Sequence, residues 1–390
     1  MLRVSSLTLE RNSKSKGMIQ FQLNSETSDN AEKEMSGSIP NFLFVFLRWS
    51  GLVEDSDKKA KHRFSSRIFD ILLFLICADV TVSTVINSGN VHEKLIVAYL
   101  SCPIVSAFVW YEMRCKRKLI ASLLQNVLMV NSSFYEKVIN VAVFINYFIS
   151  LIVPVVLIST VDNPEFLTFF VYGYETKIDW LLSVIGILKS SLYFMLYPCA
   201  TNIVAIFYIS LCWRCSIYIN NLMRDIAKYT TEEFDHSKQL HILKERAKIC
   251  RVLQNIQTIF SLPMFLIIVA NCLMCSTLLG GVLIKIEFAE DLTIFIFYFF
   301  NDILCVITAL WVAGSVPVDI SRFKETFHQM THERLLYHHA TENELQLKID
   351  LFNEPDFVLT GCNILPFRRS TILTVIGTLL TYTVLVANTN

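Results

Sequence analysis

At 390 residues, with 53% hydrophobic and 17% charged residues and a mean hydropathy of +0.48, this chain is too apolar for an ordinary soluble domain. Its composition is that of a polytopic membrane protein, and the formal net charge of zero conceals a strong asymmetry along the chain. No phosphate loop, nucleophile triad or nucleic-acid patch appears, so neither an enzyme nor a nucleic-acid binder is expected, and no cofactor or metal is implied.

Residues 1–41 are polar, rich in Ser, Asn, Lys and Glu, and are expected to form a disordered N-terminus without a secretory signal. The stretch 42–53, FLFVFLRWSGLV, is apolar but too short to span and is interrupted by Arg48, which predicts an interfacial or protein-packed helix. From residue 68 onward the apolar periodicity predicts an all-α membrane protein with seven transmembrane helices, at about 68–86, 95–111, 138–160, 181–213, 256–284, 292–313 and 371–390. The fourth and fifth exceed the minimum and should tilt or continue out of the bilayer. Residues 318–352 also read as helix, in a polar stretch that holds His328, His332, His338 and His339, where a solvated helix is the default reading.

Orientation follows from the basic residues. All but four of the 34 Lys and Arg lie before the first span or in alternate loops; the exceptions are Lys94, Lys177, Lys189 and Lys285. The positive-inside rule then places the N-terminus in the cytoplasm and, with seven spans, the C-terminus outside. A G-protein-coupled receptor would have the opposite orientation. No cysteine falls in an expected outer loop, and the sequon at Asn131 falls in a loop expected to be cytoplasmic and therefore unmodified.

The last apolar stretch carries a polar stripe. Thr374, Thr378, Thr381, Leu385 and Asn388 are spaced four, three, four and three, a heptad-like seam that several copies could turn towards one axis. Hydroxyls and an amide along such an axis would replace part of an ion's hydration without fixing its size, and Leu385 is the candidate gate. The competing reading is that each threonine bonds its own helix backbone.

Near the end of that helix Thr381-Tyr382 is followed, after five residues, by Asn388-Thr389. This resembles the terminal signature of arthropod gustatory receptors, in which Thr-Tyr precedes Gln-Phe by the same interval; here Asn388 keeps the amide and Thr389 loses the aromatic. Leu47-Arg48-Trp49-Ser50-Gly51-Leu52 is similar to the segment those receptors carry before their first span, and the topological likeness covers residues 42–390. The resemblance implies a ligand-gated non-selective cation channel in the plasma membrane of a sensory neuron. It further implies a homo- or hetero-tetramer around a central pore of seventh helices, a cytoplasmic helical anchor region, and a small-molecule tastant bound in the outer half of the bundle. A divergent G-protein-coupled receptor and an odorant-receptor-like channel subunit are the alternatives.

Three charges lie inside expected spans: Asp79, Lys189 and Asp302. Each is costly in isolation and should face a pocket or a partner. Lys189 with Asp302 is the preferred pair, because the resemblance places the ligand among helices two to four and six. Asp79 is the alternative partner, and snorkelling of Lys189 is the bland reading. With Lys189 and Asp302, the side chains of Tyr99, Tyr193, Tyr197, Tyr298 and Asn301 complete the candidate ligand-binding set, since rings with a few polar groups suit a small organic molecule.

Overall fold

The computed structural model describes residues 41–53, 61–87, 93–126, 133–160, 167–174, 179–283, 291–337, 342–353 and 355–388. The expected disordered N-terminus, Asn131, His338 and His339 lie outside these residues. Helices dominate: α1 Asn41–Trp49, α2 Lys61–Ile86, α3 Glu93–Cys115, α4 Arg117–Asn126, α5 Ser133–Thr160, α6 Asp179–Phe194, α7 Thr201–Lys228, α8 His236–Leu283, α9 Asp291–Tyr337, α10 Glu342–Asn353 and α11 Arg369–Asn388. A six-residue π-segment, Met195–Ala200, joins α6 to α7, and a hairpin of β1 Thr360–Gly361 and β2 Leu365–Pro366 precedes α11.

Five stretches among the described residues are long and apolar enough to cross a membrane: Arg67–Ile86, Tyr135–Ser159, Trp180–Lys228, His236–Gly280 and Phe295–Leu336. The other two expected spans correspond to α3 and to α11, whose apolar part, Arg369–Leu385, is shorter. The 48 residues of α8 would reach about 72 Å at 1.5 Å per residue, more than twice a hydrocarbon core of roughly 30 Å. Its first half is rich in Lys, Arg and Glu and its second half is apolar, so the surplus belongs to a polar surrounding. In α9 the order is reversed, with the apolar half first and the polar half last.

Burial follows from sequence character. In α7 apolar side chains point in most directions, and the majority, including Ile203, Phe207, Leu211, Cys212 and Ile219, are buried. A helix apolar all round belongs at the centre of a bundle; α7 is accordingly packed between α8 and α9. By contrast α2 and α5 expose Phe74, Leu75, Phe144, Phe148 and Leu151 on their outer faces, as lipid-facing helices do.

The short helix α1 is held by protein. Leu43 and Leu47 are fully buried, and Phe46 meets the rings of Phe69, Trp110 and Tyr147. Gly51, at a φ of 75°, turns the chain after α1. Arg114 then donates to the Ser50 and Gly51 carbonyls and pairs with Asp70 at 3.1 Å, which explains a Ser-Gly pair at this place.

The hairpin fixes the start of α11. Gln257 on α8 donates to the Thr360 carbonyl at 2.8 Å and accepts from the Thr360 N–H at 2.9 Å, while Ser261 accepts from the Cys362 N–H. Thr371 donates to the Pro366 carbonyl, and the Arg369 guanidinium lies 4.6 Å from the Trp311 ring centre. At Gly314 a Cβ would stand 2.7 Å from the Arg369 backbone nitrogen, so α9 and α11 approach here only because Gly314 lacks one.

Candidate functional site

The candidate residues fall into three places. The first lies between α2 and α6. The Lys189 Nζ is 3.0 Å from Asp79 Oδ2, and the ammonium sits 4.0 Å from the centre of the Tyr172 ring. Tyr193 donates to Asp79 Oδ2 at 2.5 Å, and Tyr172 donates to Oδ1. The preferred pairing of Lys189 with Asp302 is thus corrected to Asp79. The reason is positional: α6 lies beside α2, whereas Asp302, on α9, faces the π-segment after α6. A carboxylate that meets one ammonium and two phenols is well compensated for its partial desolvation.

The second place is the break between α6 and α7. Tyr197 leaves helical geometry (φ −141°, ψ 125°) and is followed by Pro198, so backbone carbonyls lose their usual donors. Side chains replace them. Ser106 on α3 donates to Leu196 O at 2.5 Å, Asn146 on α5 to Cys199 O at 3.2 Å, and Thr201 to Pro198 O at 2.8 Å. Irregular backbone at membrane depth survives only with such partners.

From the break a polar chain crosses the bundle. Asp302, with no exposed surface, accepts from Tyr197 and from Asn301, each at 2.9 Å. Asn301 accepts from Asn202 at 2.9 Å, Asn202 donates also to Asn146 at 3.0 Å, and the Tyr197 hydroxyl lies 3.2 Å from Asn271 Oδ1. Asp302 makes no ion pair among the described residues; its compensation is by neutral donors. The rings beside it are packed on one another, with Tyr298 stacked on Phe194 and on Tyr197 at 5.3 and 6.0 Å. The candidate aromatics Tyr197 and Tyr298 are therefore buried cluster members. The side chain of Tyr99 lies outside the described residues.

Sequence reasoning missed Asn146, Asn202, Asn271 and Tyr172. A signal for the first three existed: each is an amide well inside an expected span, at 138–160, 181–213 and 256–284, where an uncompensated polar group is costly. Tyr172 stands in a loop, and nothing local distinguishes it.

The third place is α11. Leu379 and Thr383 are buried against the bundle, while Thr374, Thr378, Thr381, Tyr382 and Leu385 are exposed. Thr378 donates to Thr374 O and Thr381 to Gly377 O, both at 2.9 Å. The threonines thus bond their own helix, as the competing reading held, and still present their oxygens outward. A hydroxyl that has spent its proton on a carbonyl offers only lone pairs to its surroundings, which favours cations. Asn388 is the last helical residue, and its side chain lies outside the described residues.

No protein-family model matches this sequence, and none of the curated proteins matches it. Solved structures do match its architecture. The insect olfactory receptor OR5 from Machilis hrabei superposes with a TM-score of 0.62 over 95% of this chain and 99% of that one, at 13% identity. The same receptor in complex with eugenol gives 0.62 and 13%, over 93% and 100%. The fold is that of an insect olfactory receptor. With five helices long and apolar enough to cross a membrane among the described residues, it is the fold of a multi-pass membrane protein. At this identity the olfactory-receptor likeness carries the backbone arrangement, while site residues must be argued from this chain's own side chains.

Proposed function

We propose that this chain is a subunit of a gustatory-receptor-like, ligand-gated, non-selective cation channel in the plasma membrane of a sensory neuron. Its N-terminus is cytoplasmic, its C-terminus outside, and residues 42–390 form a seven-helix unit. Four copies, identical or mixed, surround a pore lined by Thr374, Thr378, Thr381, Leu385 and Asn388. The polar ends of α8 and α9, with α10, form the cytoplasmic anchor. A small-molecule tastant enters the outer bundle, where Lys189, Tyr193, Tyr197, Tyr298, Asn301 and Asp302 supply polar and aromatic contacts, and its binding favours the open arrangement of α11.

The observation that carries this reading is the division of α11 into two faces. Leu379 is 7% exposed and Leu385 58% exposed, so the heptad-spaced seam lies within the broad side, shared with Leu373, Leu380 and Val384, that its own bundle leaves uncovered. Because the aromatic cluster is packed, ligand entry requires Tyr298 or Tyr197 to turn aside, and the ligand selects that arrangement. A divergent G-protein-coupled receptor is disfavoured by the fold. An odorant rather than a tastant is the second reading, favoured by the olfactory-receptor likeness and by the eugenol complex of that receptor.

Expression in a cell line with whole-cell recording tests the proposal. A basal or ligand-evoked cation current that rises in Leu385→Ala is expected, together with an N-terminal tag that stays unlabelled on intact cells. Absence of current under a broad panel of sugars and volatiles, or surface labelling of the N-terminus, would overturn it.

A further inference from the structure

Between α8, α9 and α11 lies a cavity of about 150 Å³ that Asp302 and Asn271 help to line. Its walls are apolar: Val375, Ile376 and Leu379 from α11 and Val306 from α9. Two polar residues join them, Asp302 and Asn271. Asn271 is 1% exposed, and its Nδ2 meets no oxygen or nitrogen acceptor; beside it stands only the Cys305 thiol, a weak partner.

The Tyr197 hydroxyl explains why one end of that amide is left over. A phenol holds a single proton, and Asp302 at 2.9 Å is a better acceptor for it than Asn271 at 3.2 Å. Whichever end of the amide meets Tyr197, the other end has only the Cys305 thiol, and the residue lines the cavity. A buried amide end with so weak a partner is poorly satisfied, so an occupant that completes it gains more than apolar contact. A cavity of about 150 Å³ with apolar walls takes a ring of benzene size. A hydroxyl both donates and accepts, so an alcohol satisfies the amide in either orientation, whereas a ketone or ether serves only one.

We propose that this cavity is a binding site for a small cyclic alcohol, its ring against Val306, Val375 and Leu379 and its hydroxyl on Asn271. The site is separate from the outer pocket and stands whether or not α11 lines a pore. Because one wall is the packed side of α11, an occupant bears on the position of that helix relative to α8 and α9.

Thermal unfolding of the purified full-length chain in detergent decides the matter. Cyclopentanol is compared with methylcyclopentane, which has the same number of heavy atoms but no hydroxyl. In the wild type, cyclopentanol is expected to raise the midpoint in a saturable manner by about 2 °C or more, and methylcyclopentane by less. Asn271→Leu should abolish the difference between the two, and Val375→Phe, which fills the cavity, should abolish both shifts; Val306→Phe fills it from the opposite wall should Val375→Phe not fold. Equal shifts from the two compounds in the wild type, no shift at all, or an undiminished advantage of cyclopentanol in Asn271→Leu would each overturn the site.

Discussion

The Lys189 ammonium reaches Asp79 at 3.0 Å across the gap between α6 and α2, beneath the ring of Tyr172. One acid thus meets one base and two phenols, and four side chains from three parts of the chain are tied together. The tie also fastens the segment that precedes α6 to α2, because Tyr172 belongs to that segment.

Removing the acid should cost more than the pair is worth. Asp79→Asn leaves Lys189 partly buried without its counter-charge, and a loss of about 2 kcal/mol is expected, somewhat below the range for a fully buried pair. Combining it with Lys189→Met should restore most of the loss. The check is the unfolding midpoint of the two single variants and the double. A double variant as unstable as the sum of the singles would show that the two residues act separately.

At the start of α11, Gly314→Ala should be destabilising by about 1–3 kcal/mol, because the added carbon meets backbone atoms of Arg368 and Arg369 that have no rotamer to change. Gly377→Ala is the internal control. A Cβ there meets nothing within 4 Å, and a glycine inside a helix gives way to alanine at a gain of up to about 1 kcal/mol. Midpoints that move in opposite directions would confirm the contrast.

The polar chain through Asp302 can be cut at its phenol. Tyr197→Phe keeps the ring stack on Tyr298 and removes one donor to a carboxylate with no exposed surface. A loss of about 1–3 kcal/mol is expected. Asp302→Asn, combined with Tyr197→Phe, should be less damaging than the sum of the two changes, which a double-mutant cycle on purified protein measures.

For α11, single cysteines report which face meets water. Thr374→Cys, Thr378→Cys and Thr381→Cys should react with a charged thiol reagent and reduce the current, each by more than half. Leu379→Cys and Thr383→Cys, on the buried face, should be unaffected. A pattern without this alternation would remove the assignment of the pore face.

Much of the architecture is readable from residue order alone, because a bilayer imposes a length and an apolar character that any spanning helix must show. The surplus length of the fourth and fifth spans, the helical character of residues 318–352, and the helix before the first span all follow from composition and periodicity. That Thr374, Thr378 and Thr381 share one side of α11 follows too, since spacing of three and four places residues on one side whatever the neighbours are; that this side is the exposed one does not. Tertiary structure alone decided the rest. Whether Lys189 meets Asp79 or Asp302 depends on which helices lie side by side and how each is rotated, and periodicity carries neither. The same holds for Asn146 and Asn271, which meet the break around Tyr197-Pro198 from other helices, for Asn202, which bridges Asn146 and Asn301, and for Gly314, whose missing Cβ matters only because the chain returns to it more than fifty residues later, at Arg368-Arg369.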